Sequence, residues 1–423
     1  MAGRPTNRQR TFQTTSERIL RSINKSEVTD LAKCLIAFDT TNPPGNELPC
    51  AKFLISVMRR MGLKTTIQRI DPRRGNAIGY TTPLLQGPTL LLEGHIDTAP
   101  IGTAERKLWT VDPFSARLRS GRIFGKGIVD MKGGLVASLT AVQAVLRSGI
   151  HLKGNIKVAA LADEEGYMRG VKRFIESGYA RDVDACISTE PLWGVQIAQG
   201  GRTWGRITVK GRSTTSGVDP DYAFKAGVGN NAIHQAASFL SELKKHRPSH
   251  GVERLFRRSW WHVLKIQGGW DPENAPMCPE SCEIILEGRL VPGHTIDAFW
   301  KDVSNLIVNL RNRSPGFNAT VDVLERRPAY STRRNDPIVK AVIGAYARVI
   351  GKKPQINPFR YPMNSTTDAH YLAAEGIPCV TIGPVEPNNI LAKQMFIANE
   401  SVSARRIVDT ARILAVAILR YLT

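Results

Sequence analysis

The stretch Leu90-Leu91-Leu92-Glu93-Gly94-His95-Ile96-Asp97 leaves this chain few ways to fold. An apolar run this dense, entered from Gly87-Pro88 and left at Pro100-Ile101-Gly102, reads as a buried strand of an α/β sheet. Sheets of that class carry their sites at the carboxyl ends of the strands. His95 and Asp97 fall there, two residues apart, so on an extended chain their side chains point the same way. Asp97 is then placed to hold one imidazole nitrogen and leave the other for a metal, the arrangement of a carboxylate behind a ligating histidine. A His-x-Asp pair is also common in solvated loops, and the segments downstream decide between the two readings.

Those segments repeat one pattern. Gly125-Lys126-Gly127-Ile128-Val129-Asp130-Met131-Lys132-Gly133-Gly134 precedes a helix of small and apolar residues, Leu135 to Leu146. A strand from Gly154 to Ala162 ends in Asp163-Glu164-Glu165-Gly166, and one from Val183 to Thr189 ends in Glu190-Pro191. Adjacent carboxylates beside a buried strand are costly unless something positive neutralises them. His95, Asp130, Glu164, Glu165 and Glu190 converging on one sheet edge therefore call for a divalent metal rather than helix caps and surface loops. Gly125 and Gly127 do not make a dinucleotide fingerprint, because no strand feeds directly into a glycine-rich helix start with the third glycine in place.

The rest of the chain frames this core. Residues 1–16 form a basic tail expected to be disordered. Apolar positions at helical spacing from about Glu17 to Ala37 predict a first helix, with Ser26 as a plausible N-cap. A second helix is expected near Leu48 to Met61, and a strand near Thr65 to Ile70. From about Thr203 to Arg327 the pattern changes to alternating strands and two helices, in the order strand, helix, strand, strand, helix, strand. This reads as an inserted α+β domain, a split βαβ unit over 203–327, flanked by a main domain over 17–202 and 328–423. The formal charge of +21 is scattered, without a basic stripe interleaved with aromatics, which argues against a nucleic-acid partner. No run approaches 18 uninterrupted apolar residues, so no membrane span is expected. Six cysteines without a CxxC pair suit a reducing, cytoplasmic setting.

Taken together, Asn42-Pro43-Pro44-Gly45-Asn46-Glu47, Gly94-His95-Ile96-Asp97, Asp130-Met131-Lys132-Gly133-Gly134, Asp163-Glu164-Glu165 and Glu190-Pro191 resemble the zinc-dependent aminoacylase and carboxypeptidase family. That family includes acetylornithine deacetylase, succinyl-diaminopimelate desuccinylase, aminoacylase and carboxypeptidase G. The resemblance implies a catalytic domain with a central mixed sheet flanked by helices, plus a lid that pairs two chains into a homodimer. It implies zinc, with cobalt or manganese as substitutes. His95, Asp130 and Glu190 would form one site, Asp130 and Glu165 a second, and Asp97 would stand behind His95. Glu164 would be the general base in hydrolysis of an N-acyl amino acid or small peptide. In the lid, Asn274 and Arg289 would face substrate, Arg289 as a fork for a carboxylate.

Two positions depart from the family pattern. Thr215, in Gly211-Arg212-Ser213-Thr214-Thr215-Ser216-Gly217, stands where the family carries an oxyanion-stabilising histidine. Phe396, four residues before Glu400, stands where a histidine completes the second metal site, and no histidine follows His370. One firmly held ion and a weakened second site are expected, with His370 the one remaining candidate to replace the ligand. The same departures keep two further readings open: non-hydrolytic chemistry on an acylated amino acid, such as ring closure or acyl transfer, and a binding protein without catalysis.

Overall fold

The computed structural model describes residues 7–269, 271, 276–358, 365–386 and 397–423, with side chains from residue 13 onward. Its contacts divide the chain into two units. Unit 1 comprises Met1–Ile197, Thr332–Pro358 and Thr367–Thr423, and unit 2 comprises Ala198–Ser331 and Phe359–Thr366.

Unit 1 is built on a six-stranded mixed sheet in the order Lys64–Arg69, Gly75–Tyr80, Asn155–Leu161, Thr89–His95, Ala185–Ser188, Cys379–Thr381. The first two pairings are antiparallel and the remaining three parallel. The reason lies in the sequence. Thr89–His95 and Asn155–Leu161 are buried along their whole length, as strands covered on both faces must be. Helices Gly133–Arg147 and Ala404–Leu422 cover one face, burying Leu135, Val136, Leu139, Ile407, Leu414 and Ile418 in one core with Leu90, Leu92, Ile156 and Val158. By length and apolar content Ile128–Arg147 could cross a bilayer, and 94% of that window is buried inside the structure.

The N-terminus differs from expectation. A helix spans Asn7–Ser22, so helical structure reaches into the stretch expected to be a disordered tail. The single helix expected from Glu17 to Ala37 is two, Asn7–Ser22 and Lys25–Ile36. Asn24, not Ser26, caps the second, its side chain accepting the Glu27 N–H at 2.9 Å.

Unit 2 has the strand and helix order expected of a split βαβ arrangement. Four antiparallel strands lie in the order Trp260–Gly268, Ser281–Leu290, Gly201–Lys210, Asn318–Arg327. Gly201–Lys210 alternates strictly, with Ile207 and Val209 buried against helices Ala232–Lys245 and Ile296–Arg313, and Arg202, Trp204 and Arg206 on the opposite face.

Candidate metal centre

The parallel strands of unit 1 deliver their ends to one edge. His95 is the last residue of Thr89–His95, Asp163 to Glu165 follow Asn155–Leu161, and Glu190 follows Ala185–Ser188. Asp130 comes from the short turn Ile128–Lys132 that opens into Gly133–Arg147. Two glycines let these pieces close up. A Cβ on Gly134 would lie 1.8 Å from the Thr189 carbonyl oxygen, and one on Gly383 would lie 1.8 Å from that of Glu190. No side chain fits at either place, so the Thr189–Glu190 backbone is gripped by the helix start on one side and Gly383 on the other.

His95, Asp130 and Glu190 come together, each offering a ligand atom within 4.8 Å of the others. His95 Nε2 lies 3.1 Å from Asp130 Oδ1 and 4.0 Å from Glu190 Oε2, and Glu164 Oε2 is 3.9 Å from the same nitrogen. All four residues are at most 9% exposed. Burial alone would depress the His95 pKa, yet Asp130, Asp97, Glu164 and Glu190 hold it well above its ordinary value. Burial, opposed by His95, lifts the Glu164 and Glu190 carboxyls well above the usual range, and negative neighbours including Asp368 add to it. The centre calls for positive charge.

A divalent cation fits that call. Glu190 Oε1 is buried without a hydrogen-bond partner among the described residues. The 3.1 Å separation of His95 Nε2 and Asp130 Oδ1 is close to the roughly 3.3 Å between two ligands that each sit about 2.0 Å from a tetrahedral zinc. One nitrogen and carboxylate oxygens also suit cobalt or manganese.

Asp97 does more than the sequence suggests, and its hold on His95 is different. His95 Nδ1 is 3.0 Å from the Asp97 backbone oxygen and 3.5 Å from its carboxylate. The carboxylate is instead occupied by the Glu164 N–H at 3.0 Å, the Glu165 N–H at 3.1 Å and the Asn42 amide at 2.9 Å. Burial pushes Asp97 up, but His95, Asn42 and the Glu164 N–H together hold it below the usual carboxylate range. Asn42 also donates to Asp163 Oδ1 at 2.9 Å, and its own oxygen accepts from Arg74 at 3.1 Å. Arg74 reaches Glu47 at 3.3 Å and Asp71 at 3.0 Å.

Glu165 lies beside the triad rather than in it. Its Oε1 accepts the Ala99 N–H at 3.1 Å, and burial, with Asp130 nearby, lifts its carboxyl to about 8. His370 is buried at the start of helix Ala369–Ala374, with Nδ1 2.9 Å from the Thr367 carbonyl oxygen. Phe396 and Asn274 lie outside the described residues. Thr215 and Arg289 belong to unit 2. Thr215 lines a cavity of about 490 Å³ with Asp221, His234 and Cys278, and Arg289 is engaged with Glu287 at 3.2 Å.

Glu400 carries a structural task that the sequence reading did not assign. Its Oε1 accepts the N–H groups of Val129 at 2.8 Å and Asp130 at 3.4 Å, and its Oε2 is 3.8 Å from the buried Lys126 ammonium. It anchors the turn that presents Asp130. Glu93, inside the opening strand, is a second acid to which the sequence assigns no role. It is fully buried, and burial lifts its carboxyl to about 7. Its signal is an acid within an otherwise apolar run.

Comparison with known proteins agrees with this architecture. A sequence profile described as peptidase family M20/M25/M40 matches residues 91–420. An N-formyl-4-amino-5-aminomethyl-2-methylpyrimidine deformylase of Halalkalibacterium halodurans is 26% identical over 399 residues, 85% of this chain and 87% of the relative. A succinyl-diaminopimelate desuccinylase of Nitrosospira multiformis is 27% identical over 369 residues, 84% of this chain and 89% of the relative. Among solved structures, aminopeptidase PepT from Bacillus cereus superposes with a TM-score of 0.72 at 17% identity, covering 94% of this chain and 99% of that one.

Proposed function

Since the chain belongs to peptidase family M20/M25/M40, and so to the metal-dependent amide hydrolases, we propose that it cleaves the amide bond of an N-acyl amino acid or small peptide. The observation that carries this reading is the buried His95–Asp130–Glu190 triad with Glu164 3.9 Å from His95 Nε2. The names of the two curated relatives, a deformylase and a desuccinylase, support removal of a small acyl group.

His95, Asp130 and Glu190 would hold the cation, zinc by their donor set. Bound there, it supplies Lewis acidity to an amide carbonyl and lowers the pKa of a water molecule. Glu164 is held at its backbone by Asp97 and keeps its carboxylate at the triad. Burial raises its proton affinity, which suits a group that takes a proton from water and returns it to the departing amine. Asp97 fixes the backbone of Glu164 and Glu165 together, so base and neighbouring acid keep their spacing. Phe396 in place of a histidine supports a stoichiometry of one tight ion per chain, with Glu165 left to a weaker second site. The same reading has the enzyme act in the cytoplasm as a homodimer paired through unit 2.

The test is release of free amine from N-formyl, N-acetyl and N-succinyl amino acids by zinc-loaded protein, beside Glu164→Gln. Amine release by the parent and its loss of at least about 100-fold in the variant are expected, the scale of a general base. Substrate consumed without free amine would point to ring closure or acyl transfer instead.

A further inference from the structure

We propose that Glu93, Ser188 and Thr381 form a binding site for one alkali cation, sodium or potassium, buried in the sheet of unit 1 one step below the triad. Strand register sets the three side by side, Glu93 opposite Ser188, and Thr381 opposite Ser188 on its other side. Paired residues of neighbouring parallel strands point to the same face, so the three side chains form one row. Two residues on from Glu93 and Ser188 come His95 and Glu190.

The two faces of the sheet differ sharply at this level. Leu92, Ile187 and Val380 pair across the same three strands one residue earlier, and all three belong to the apolar core. The next row replaces them by a carboxylate and two hydroxyls, yet it is just as deeply buried. Glu93 and Ser188 are 0% exposed and Thr381 is 1% exposed. Helix Ala369–Ala374 packs on this side. Cys379, two residues before Thr381, brings its Sγ to 3.7 Å from the Ala369 carbonyl oxygen.

Among the described residues, both Glu93 carboxylate oxygens, Ser188 Oγ and Thr381 Oγ1 are buried without a hydrogen-bond partner. The Ser188 hydroxyl stands near enough to Glu93 to lower its proton affinity, but it meets neither oxygen in hydrogen-bond geometry. A buried carboxylate is costly unless it is paired or coordinates a metal. Lys157 shares the face as the partner of Leu91, but its ammonium is taken by the Tyr179 carbonyl oxygen at 2.8 Å and by Asp182. His95 also favours the charged form of Glu93, but a histidine that ligates a metal is neutral and cannot balance it. Four oxygens on three adjacent strands are hard donors, the kind that alkali and alkaline-earth cations take. The row carries one carboxylate, so a monovalent ion neutralises it, whereas calcium or magnesium would leave it positive beside the metal centre. The site does not depend on catalysis at the triad.

The experiment is scanning calorimetry of the full-length, zinc-loaded protein in tetramethylammonium chloride, an ion too large for the row. Sodium, potassium or ammonium chloride then replaces that salt at constant ionic strength. A saturable rise in melting temperature is expected with sodium or potassium, about 2 °C at ten times the half-saturating concentration. The order of the three salts tells which ion the row takes. Glu93→Gln should abolish the rise and melt no lower than the parent in tetramethylammonium, because it removes the uncompensated charge. Thr381→Val keeps the shape and removes one oxygen, so it should raise the half-saturating concentration about threefold or more, the scale of one polar contact. Ser188→Ala should act in the same direction, which keeps the test decisive where Glu93→Gln folds poorly. Equal melting in all the salts, a rise that survives in Glu93→Gln, or half-saturation indifferent to both Thr381→Val and Ser188→Ala would overturn the proposal. Glu164→Gln, which removes the proposed base, should keep the full cation response, so either idea can fail alone.

Discussion

Replacing Asn42 tests whether the metal centre is held up by its second layer of contacts. Asn42 donates to two buried carboxylates, Asp97 and Asp163, each at 2.9 Å, while Arg74 fixes the amide by donating to its oxygen. Asn42→Ala removes both donated bonds. A hydrogen bond to a charged group is worth about 1.5–3 kcal/mol. Asp97 keeps two backbone donors and Asp163 keeps Arg169 Nε at 2.7 Å, so neither carboxylate is orphaned. The loss should therefore be partial, roughly 2–4 kcal/mol in urea unfolding followed by tryptophan fluorescence. Asn42→Asp should be worse than alanine at neutral pH, since it sets a third carboxylate between two others, and the gap between the variants should close as the solution is acidified. A loss under about 0.5 kcal/mol for alanine, the range of an ordinary surface substitution, would refute the assignment. So would an aspartate variant as stable as the alanine one.

Burial and Asp97 raise the Glu47 carboxyl to about 7, against the pull of Arg74. Because the folded pKa exceeds the unfolded one, the folded state binds more protons between about 4.5 and 7, and this group's contribution falls as pH rises through that window. Glu47→Gln should match the parent in urea midpoint below pH 4.5 and exceed it above pH 7, and parallel curves across the range would count against the shift. Chelation should lower the melting temperature by returning the mutual repulsion of Asp130, Glu164 and Glu190. Zinc at 1,000 times its Kd should restore about 4 kcal/mol in the parent and far less in Glu190→Gln, as followed by scanning calorimetry. A thiol reagent should modify exposed Cys34 quickly and half-buried Cys278 slowly in the native protein, and all six thiols once it is unfolded. Rapid modification of Cys50, whose thiol burial pushes up to about 11, would contradict its place in the core.

Much of this was legible because burial and chemistry share a period in such strands. An apolar run that ends in His95, another that ends before Glu164 and a third that ends before Glu190 can only be parallel core strands with a common edge, and the sheet order bears that out. What escaped is what depends on partners far away in sequence. The strand Gly75–Tyr80, Gly-Asn-Ala-Ile-Gly-Tyr, has too little apolar content to announce itself. It is fixed by antiparallel register with Lys64–Arg69 and by the Asn76 amide, which donates to Gln68 at 2.7 Å and to the Gly170 carbonyl at 2.8 Å. Asp97 was read from its neighbour His95, yet three donors from residues 42, 164 and 165 claim its carboxylate, and local spacing cannot show them.

The C-terminal segment shows how a ligand position and its support can part company. Phe396 offers a metal nothing, but Glu400, four residues on, does its work through backbone amides. Its carboxylate holds the turn from which Asp130 projects, with the Lys126 ammonium beside it. Burial lifts the Glu400 carboxyl to about 7, opposed by Lys126 and by the Val129 N–H. On the proposed two-ion reading, a donor missing at position 396 would weaken one cation site and leave the other, because Asp130 is positioned by a contact that needs no metal. On that reading the chain would lose half of a two-ion centre and keep His95, Asp130 and Glu190 together. That asymmetry is the physical reason for expecting an active enzyme here in spite of the missing histidine.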